Sequence, residues 1–444
     1  MFTRLSFLLL VRHSSRAYFL PVALVLGARG LTMTAALTSV SPQKRLKLCI
    51  VGDVHGQWNE HDVSALRAIS PNLACFVGDF GNEAVDIVAS IATSSDGRFP
   101  VVSVLGNHDA WNVLKAWSRE VKADCDAKAI RRKHSSWTLN VEGSQESTQS
   151  TAAGTAASPL YDRLRKQLNL LSASDVSFSR RDFEALGLSV IGGRPFSAGG
   201  PTFHPRPFYE HHYNVGSFEE AAARVVRASE EAPPTNSLIF LAHNGPSGLG
   251  ESPESPCGKD WGKAPGGDWG DRDLEEAVAA VAGPPRQRHL PLVLYGHMHR
   301  RLRCGGERAC VFDGKYGELY VNAAMVPRWR PHLTSVGLES KGLGADAMSS
   351  STETGQREVG QTLQEGSCDG GWITERHFTI VELESAHTCS SGHDPASQRS
   401  NGGGERWEVV RVTGTWALPN GLVTEEELLW VKSCKSDRAW QDAE

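Results

Sequence analysis

Short apolar runs and longer amphipathic segments alternate along residues 46–295. LKLCIV (46–51), LACFV (73–77), PVVSVL (100–105), SLIFLA (237–242) and PLVLY (291–295) are each too short for a helix, and they read as strands buried on both faces. LSVI (188–191) is a sixth run of this kind. Between the runs, NEHDVSALRAIS (59–70), NEAVDIVASIATS (82–94), FEEAAARVVRASEEA (218–232) and DLEEAVAAVA (273–282) place apolar residues near a 3.6 period, which predicts helices. After residue 310 the pattern turns strand-like: ACVFDG, GELYVNAA, HFTIVELE and RWEVVRVTGTWAL. The last two predict a hairpin with residues 386–405 in its loop. Alternating units followed by a strand-rich tail place the chain in the α/β class.

The ends of five runs carry the chemistry. Four are glycine-flanked blocks: Gly-Asp53-Val-His55-Gly, Gly-Asp79-Phe-Gly-Asn, Gly-Asn107-His108-Asp and Gly-His297-Met-His299. The fifth is His243, in Leu-Ala-His-Asn-Gly. In α/β sheets, ligands gather where parallel strands end, so these donors point to one centre. Carboxylate, amide oxygen and imidazole suit Mn, Fe, Zn or Co more than copper(I) or iron–sulfur clusters. Seven ligand-type residues exceed the four of one tetrahedral zinc and fit two ions about 3.5–4 Å apart sharing a carboxylate. Two cations would offset the charge of a phosphate ester and lower the pKa of a bound water. A nearby imidazole could then protonate the departing oxygen.

The ordered set of blocks over residues 52–299 resembles the calcineurin-like metallophosphoesterases. The resemblance implies their two-sheet αββα sandwich and hydrolysis of a phosphate ester by a hydroxide bridging two divalent or trivalent ions, with Mn, Fe or Zn as candidates. It also implies that Asp53, His55, Asp79 and His299 hold one ion. Asp79, Asn107, His243 and His297 would hold the other, with Asp79 bridging. His108 would bind the phosphate or protonate the leaving oxygen. Asp62 and Asp109, beside the blocks, read as helix-capping or supporting groups.

Gly-Asp-Val-His-Gly-Gln looks like the protein Ser/Thr phosphatases, but the second block reads Gly78-Asp79-Phe80-Gly81-Asn82-Glu83 and lacks their phosphate-binding arginine. That departure argues against a phosphoprotein substrate. GDVHGQW, VGDFGNEAV, LGNHDAW, AHNGPSGLG and DWGD together resemble a group of these proteins from cyanobacteria and plants. Arg194, after an apolar run and two glycines, is the candidate replacement for the phosphate grip. The Gly-, Pro- and Trp-rich segment 244–272 reads as a binding loop or lid over the site. A deep site of this kind suits a small phosphorylated substrate. The alternatives are phosphoprotein phosphatase activity and a non-catalytic binding scaffold on the same fold. Scaffolds typically lose ligands, whereas every position is present here.

Residues 46–333 read as the catalytic domain, with a mobile insertion near 134–159, and 334–444 as C-terminal strands completing the sandwich between Gly/Ser-rich insertions. Residues 1–52 hold seven Lys/Arg and no Asp or Glu before the first block. That composition predicts a targeting segment over 1–42, for a plastid or alternatively a mitochondrion. Its apolar runs, at 5–11 and 18–26, are too short to span a membrane. Loss of Arg4, Arg12, Arg16 and Arg29 would move the net charge from −5 to −9, which disfavours nucleic-acid binding. The nine cysteines include no Cys-x-x-Cys pair and fit a reducing compartment. Cys304 and Cys310 flank a turn across which a disulfide could form.

Overall fold

The computed structural model describes residues 7–13, 16–22, 44–119, 159–262, 264–332, 373–386 and 406–433. The chain divides into two compact units, Met1–Gln43 and Lys44–Glu444. In the first, β1 (Phe7–His13) and β2 (Arg16–Val22) pair as an antiparallel hairpin. The expected insertion near 134–159 and the Gly/Ser-rich stretches between the C-terminal strands lie almost wholly outside the described residues.

The second unit is built on two mixed sheets. One contains β3 (Arg45–Val51), β4 (Leu73–Phe76) and β5 (Val101–Ser103), paired in parallel in that order. The other contains β6 (Arg180–Phe183), β7 (Leu188–Gly192), β8 (Ser237–Leu241), β9 (Leu292–Tyr295), β10 (Val311–Asp313) and β11 (Leu319–Asn322). Its strand order is β10-β11-β9-β8-β7-β6, and β11, β9, β8 and β7 run parallel. The strand-rich tail supplies β12 (Trp329–His332), β13 (Ile373–Ala386), β14 (Arg406–Ala417) and β15 (Val423–Val431). β13 joins the free edge of β3, and β14 and β15 follow outward. The predicted β13–β14 hairpin forms, in antiparallel register from Arg376↔Ala417 to Ala386↔Arg406.

Side chains alternate along the strands and so divide into two cores. Leu48, Ile50, Leu73, Cys75, Ile239, Leu241, Leu292 and Leu294 fill the layer shared by the two sheets. Cys49, Val51, Ala74, Phe76, Leu238, Phe240, Val293 and Tyr295 face the opposite way and belong to the core with the helices. Both faces of the central strands are therefore buried. Each fully buried Leu or Ile contributes about 1.5–3 kcal/mol relative to exposure.

The expected helices are α1 (Glu60–Ile69), α2 (Val85–Ala92), α6 (Phe218–Glu230) and α7 (Arg272–Ala282). Helical residues 111–119 (α3), α4 (Pro159–Leu171) and α5 (Arg206–Tyr213) add to them. Asp62 completes a capping box with Asn59 at the start of α1, and it also forms ion pairs with Arg328 and Arg376. No helix among the described residues is long and apolar enough to cross a membrane. Cys304 and Cys310 are both free thiols.

Candidate metal centre

All five chemical blocks emerge at the C-terminal ends of parallel strands, β3, β4 and β5 in one sheet and β8 and β9 in the other. The turns that follow are strained in a consistent way. His55, Asp79 and His297 have φ of 46°, 54° and 63°, in the left-handed region that non-glycine residues seldom occupy. Neighbouring blocks hold them there. His55 N donates to Asp79 O (2.7 Å) and His297 N to Asp53 Oδ1 (3.0 Å). His108 N donates to Asp79 Oδ1 (2.8 Å). Two of the flanking glycines are dictated by close approach. A Cβ at Gly106 would lie 2.3 Å from Asp79 Oδ1, and one at Gly296 would lie 2.4 Å from Asp53 Oδ1.

The seven ligand-type residues converge. Asp53, His55 and His299 offer ligand atoms all within 4.8 Å of one another, and so do Asp79, His243 and His297. His299 Nε2 lies 3.3 Å from Asp53 Oδ2 and 3.1 Å from His55 Nε2. His243 Nε2 lies 3.3 Å from Asp79 Oδ1 and 3.0 Å from Asn107 Oδ1. Asp79 reaches both groups, its Oδ2 standing 3.8 Å from His55 Nε2.

The donor chemistry fits cations. His243 Nδ1 bonds the carbonyl of Val77 (2.7 Å), so Nδ1 carries the proton and Nε2 is left as an acceptor. That acceptor faces two further acceptors, Asn107 Oδ1 and Asp79 Oδ1. Both ring nitrogens of His297 are buried with no hydrogen-bond partner. Buried polar atoms seldom remain unpaired, and a cation between such atoms would satisfy them together. Electrostatics agree. Burial lowers the pKa of His55 to about 4 and also lowers those of His243 and His297, which favours the neutral, ligating imidazole. Burial, and then the charges of Asp53 and Asp109, push the Asp79 carboxyl up. Burial works the same way on Asp53, but the hydrogen bond and charge of His299 outweigh it and hold that carboxyl below its usual range.

His108 stands beside this cluster. Its Nδ1 pairs with Asn82 Oδ1 (2.8 Å). Its ring stacks on Trp111, with centroids 4.7 Å apart and planes 5° apart, and meets the His55 ring edge-on at 4.9 Å. Burial first, then the neighbouring histidines, lower its pKa to about 4. Asp109 ties two blocks together, its carboxylate accepting from Phe80 N (2.8 Å), Gly81 N (3.3 Å) and Gly106 N (2.7 Å). Glu83, in the block where the protein phosphatases carry arginine, is buried and accepts from Asn112 N (2.6 Å) and Val113 N (3.3 Å) at the start of α3.

A model of the calcineurin-like phosphoesterases matches residues 46–301. The chain belongs to the calcineurin-like phosphoesterase family. Phosphoester hydrolysis is accordingly the class of its chemistry, and the clustered Asp and His residues could hold the metal that this family's chemistry uses. Similar solved structures include TT1561 of Thermus thermophilus, at 12% identity over 65% of this chain and 93% of that one, with a TM-score of 0.35. Another is the phosphopantetheinyl hydrolase of Mycobacterium tuberculosis, at 14% identity over 62% and 88%, with a TM-score of 0.27. No curated protein matches the chain.

Arg194 is not among the residues that the phosphoesterase fold brings together. Its side chain is 3% exposed. Nη2 pairs with Asp271 Oδ1 (2.8 Å) and Nε with Asp273 Oδ2 (3.1 Å), while the rings of Phe203, Tyr209 and Phe218 surround the guanidinium. The fork expected to grip phosphate is spent on two buried carboxylates. Arg194→Met would leave both carboxylates buried without their cation, at an expected cost of about 3–5 kcal/mol. Burial pushes Asp271 up to about 7 even with Arg194 pulling it down. The folded chain then binds a proton that the unfolded chain, with a carboxyl pKa of about 3.9, releases, so across that window this group's stability contribution falls as pH rises. Without Arg194 the window extends upward. The melting temperature of the variant should therefore lag the parent more at pH 8 than at pH 5. No lag at either pH would show that Arg194 is no structural clamp, and an equal lag at both would remove the Asp271 protonation argument.

Sequence reasoning does not single out Asn82, Trp111, Trp261 or Arg308. Asn82 and Trp111 sit in or next to the second and third blocks, where proximity to His108 is the available signal. Trp261 lies in the Trp-rich segment read as a binding loop but nothing distinguishes it there from Trp269, and Arg308 carries no signal because its partners Ser255 and Gly258 lie about 50 residues away.

Proposed function

We propose that this protein hydrolyses a phosphate ester on a small molecule, using two metal ions. Asp53, His55, Asp79 and His299 would hold one, and Asp79, Asn107, His243 and His297 the other. The carrying observation is a set of acceptors turned toward one another: His243 Nε2 faces Asn107 Oδ1 and Asp79 Oδ1, and both nitrogens of His297 are buried without hydrogen-bond partners. Bound cations would supply charge neutralisation of the phosphoryl oxygens and an acidified water. The chain's own residues do the rest. The Val77 carbonyl fixes the His243 tautomer. Asp79 spans the two groups, with one carboxylate oxygen toward each. Asn82 and Trp111 hold the His108 imidazole beside Asp79 and His55, where it can bind a phosphoryl oxygen or protonate the leaving oxygen.

A small substrate is supported by the 244–272 loop, which sets Trp261 edge-on to the ring of His297, with centroids 6.0 Å apart. The test is elemental analysis and a substrate panel. Protein saturated with Mn, Fe or Zn should carry about two ions per chain and cleave at least one phosphomonoester or phosphodiester. A chelator should abolish the cleavage and re-added metal restore it. Turnover undiminished by chelation, in protein shown to be free of metal, would overturn the proposal.

A further inference from the structure

The ligand cluster can recognise a phosphoryl group but offers nothing for the organic part of an ester. That part must meet the neighbouring walls. On the His55 side stands Trp111, which is already engaged. His108 stacks on its ring, and Lys115 Nζ lies 4.2 Å from the ring centroid. On the His243 and His297 side stands Trp261. Its ring centroid is 6.0 Å from that of His297, at 85°, and 6.0 Å from that of Trp269, at 82°. It is only partly buried, so an apolar surface remains beside a proposed ligand.

This wall is fixed on both sides. Arg308 is buried, and its Nη1 donates to the carbonyls of Ser255 and Gly258 (2.7 Å for the latter). Its Nε donates to the carbonyl of His299 (3.3 Å). One guanidinium thereby fastens the loop just before Trp261 to the backbone of a ligand residue. Beyond Trp261, the carbonyl of Trp269 accepts from Asn244 Nδ2 (2.9 Å) and Gly200 N (3.1 Å), and Asp271 is held by Arg194 and by Ser197 Oγ (2.5 Å). The described residues of the 244–272 segment are thus tied down on both sides of Trp261.

Building on the phosphohydrolase reading, we infer that Trp261 is a specificity-determining residue. It presents a preformed aromatic surface beside His297, and the site therefore selects phosphoesters whose organic group carries a planar apolar face next to the phosphorus. Preorganisation matters here because a wall already in place costs no ordering entropy on binding.

The test uses the full chain loaded with Mn and two non-hydrolysable probes with the same head group, phenylphosphonate and methylphosphonate, measured by calorimetric titration. The parent should bind the phenyl compound about five- to tenfold more tightly, the range an aromatic contact supplies. Trp261→Ala and Trp261→Leu should bring the ratio close to one while leaving methylphosphonate affinity and ion content at parental values. Trp261→Phe should retain part of the preference. Equal affinities in the parent, or a ratio that survives in both Trp261→Ala and Trp261→Leu, would overturn the role of Trp261 and leave the phosphohydrolase reading standing. Failure of both phosphonates to bind metal-loaded parent would take down the two together.

Discussion

Asp79→Asn should empty both halves of the metal centre and abolish turnover. Among the described residues, Asp79 is the one carboxylate placed toward both groups, with Oδ1 3.3 Å from His243 Nε2 and Oδ2 3.8 Å from His55 Nε2. The amide keeps the shape but loses the charge, and it aims an N–H at one of the two positions. Charge stabilisation by such ions is worth several kcal/mol, so the expected loss of turnover is about 10³-fold or more. Metal content should fall well below the two ions per chain of saturated parent. Backbone strain does not confound the test, because Asp79 sits at φ 54° and Asn tolerates that region as well as Asp does. His243→Ala, by contrast, should weaken only the ion shared with Asn107 and His297. If Asp79→Asn lost a single ion and kept the other at parental occupancy, the bridging role would be wrong.

The ligand blocks are legible in the sequence because each combines a strand end, a flanking glycine and a donor side chain within a few residues. The sandwich is legible for a similar reason, since runs such as LACFV and SLIFLA have no polar face and must be covered on both sides. What escapes depends on distance or on mixed patterning. Arg194 follows an apolar run and two glycines, a sound context for a phosphate contact. Its partners Asp271 and Asp273 lie 77 and 79 residues further on, and nothing local announces them. β15 escapes because Glu425, Glu426 and Glu427 break any alternation of apolar and polar positions along it. As an edge strand it answers those charges with Arg330, Arg411 and Arg300. The left-handed turns at His55, Asp79 and His297 fall on residue types enriched in that region, but most Asp and His residues sit elsewhere, so the type alone does not announce them. They exist because tertiary bonds between blocks hold them in place.

His108→Ala should leave the ion content at its parental value and slow turnover by about 10²–10⁴-fold for esters with poor leaving groups, the range typical of a lost general acid. The geometry prepares the imidazole for that task. Nδ1 pairs with Asn82 Oδ1, an uncharged acceptor, so Nδ1 carries the proton in the neutral ring and Nε2 is the nitrogen left to exchange one. Stacking on Trp111 and the edge contact with His55 restrict the tilt of the ring. Asn82 can orient the ring but, unlike a carboxylate, cannot balance the charge of an imidazolium, so a proton gained at Nε2 is readily given up. A proton donor matters most when the departing oxygen is strongly basic. The penalty of His108→Ala should therefore shrink steadily along a series from alkyl to nitrophenyl esters, and nearly vanish at the best leaving group. A phosphate ligand behaves differently, because a lost contact to a phosphoryl oxygen costs every ester alike. A uniform penalty across the series would assign His108 to phosphate binding and remove it as the acid.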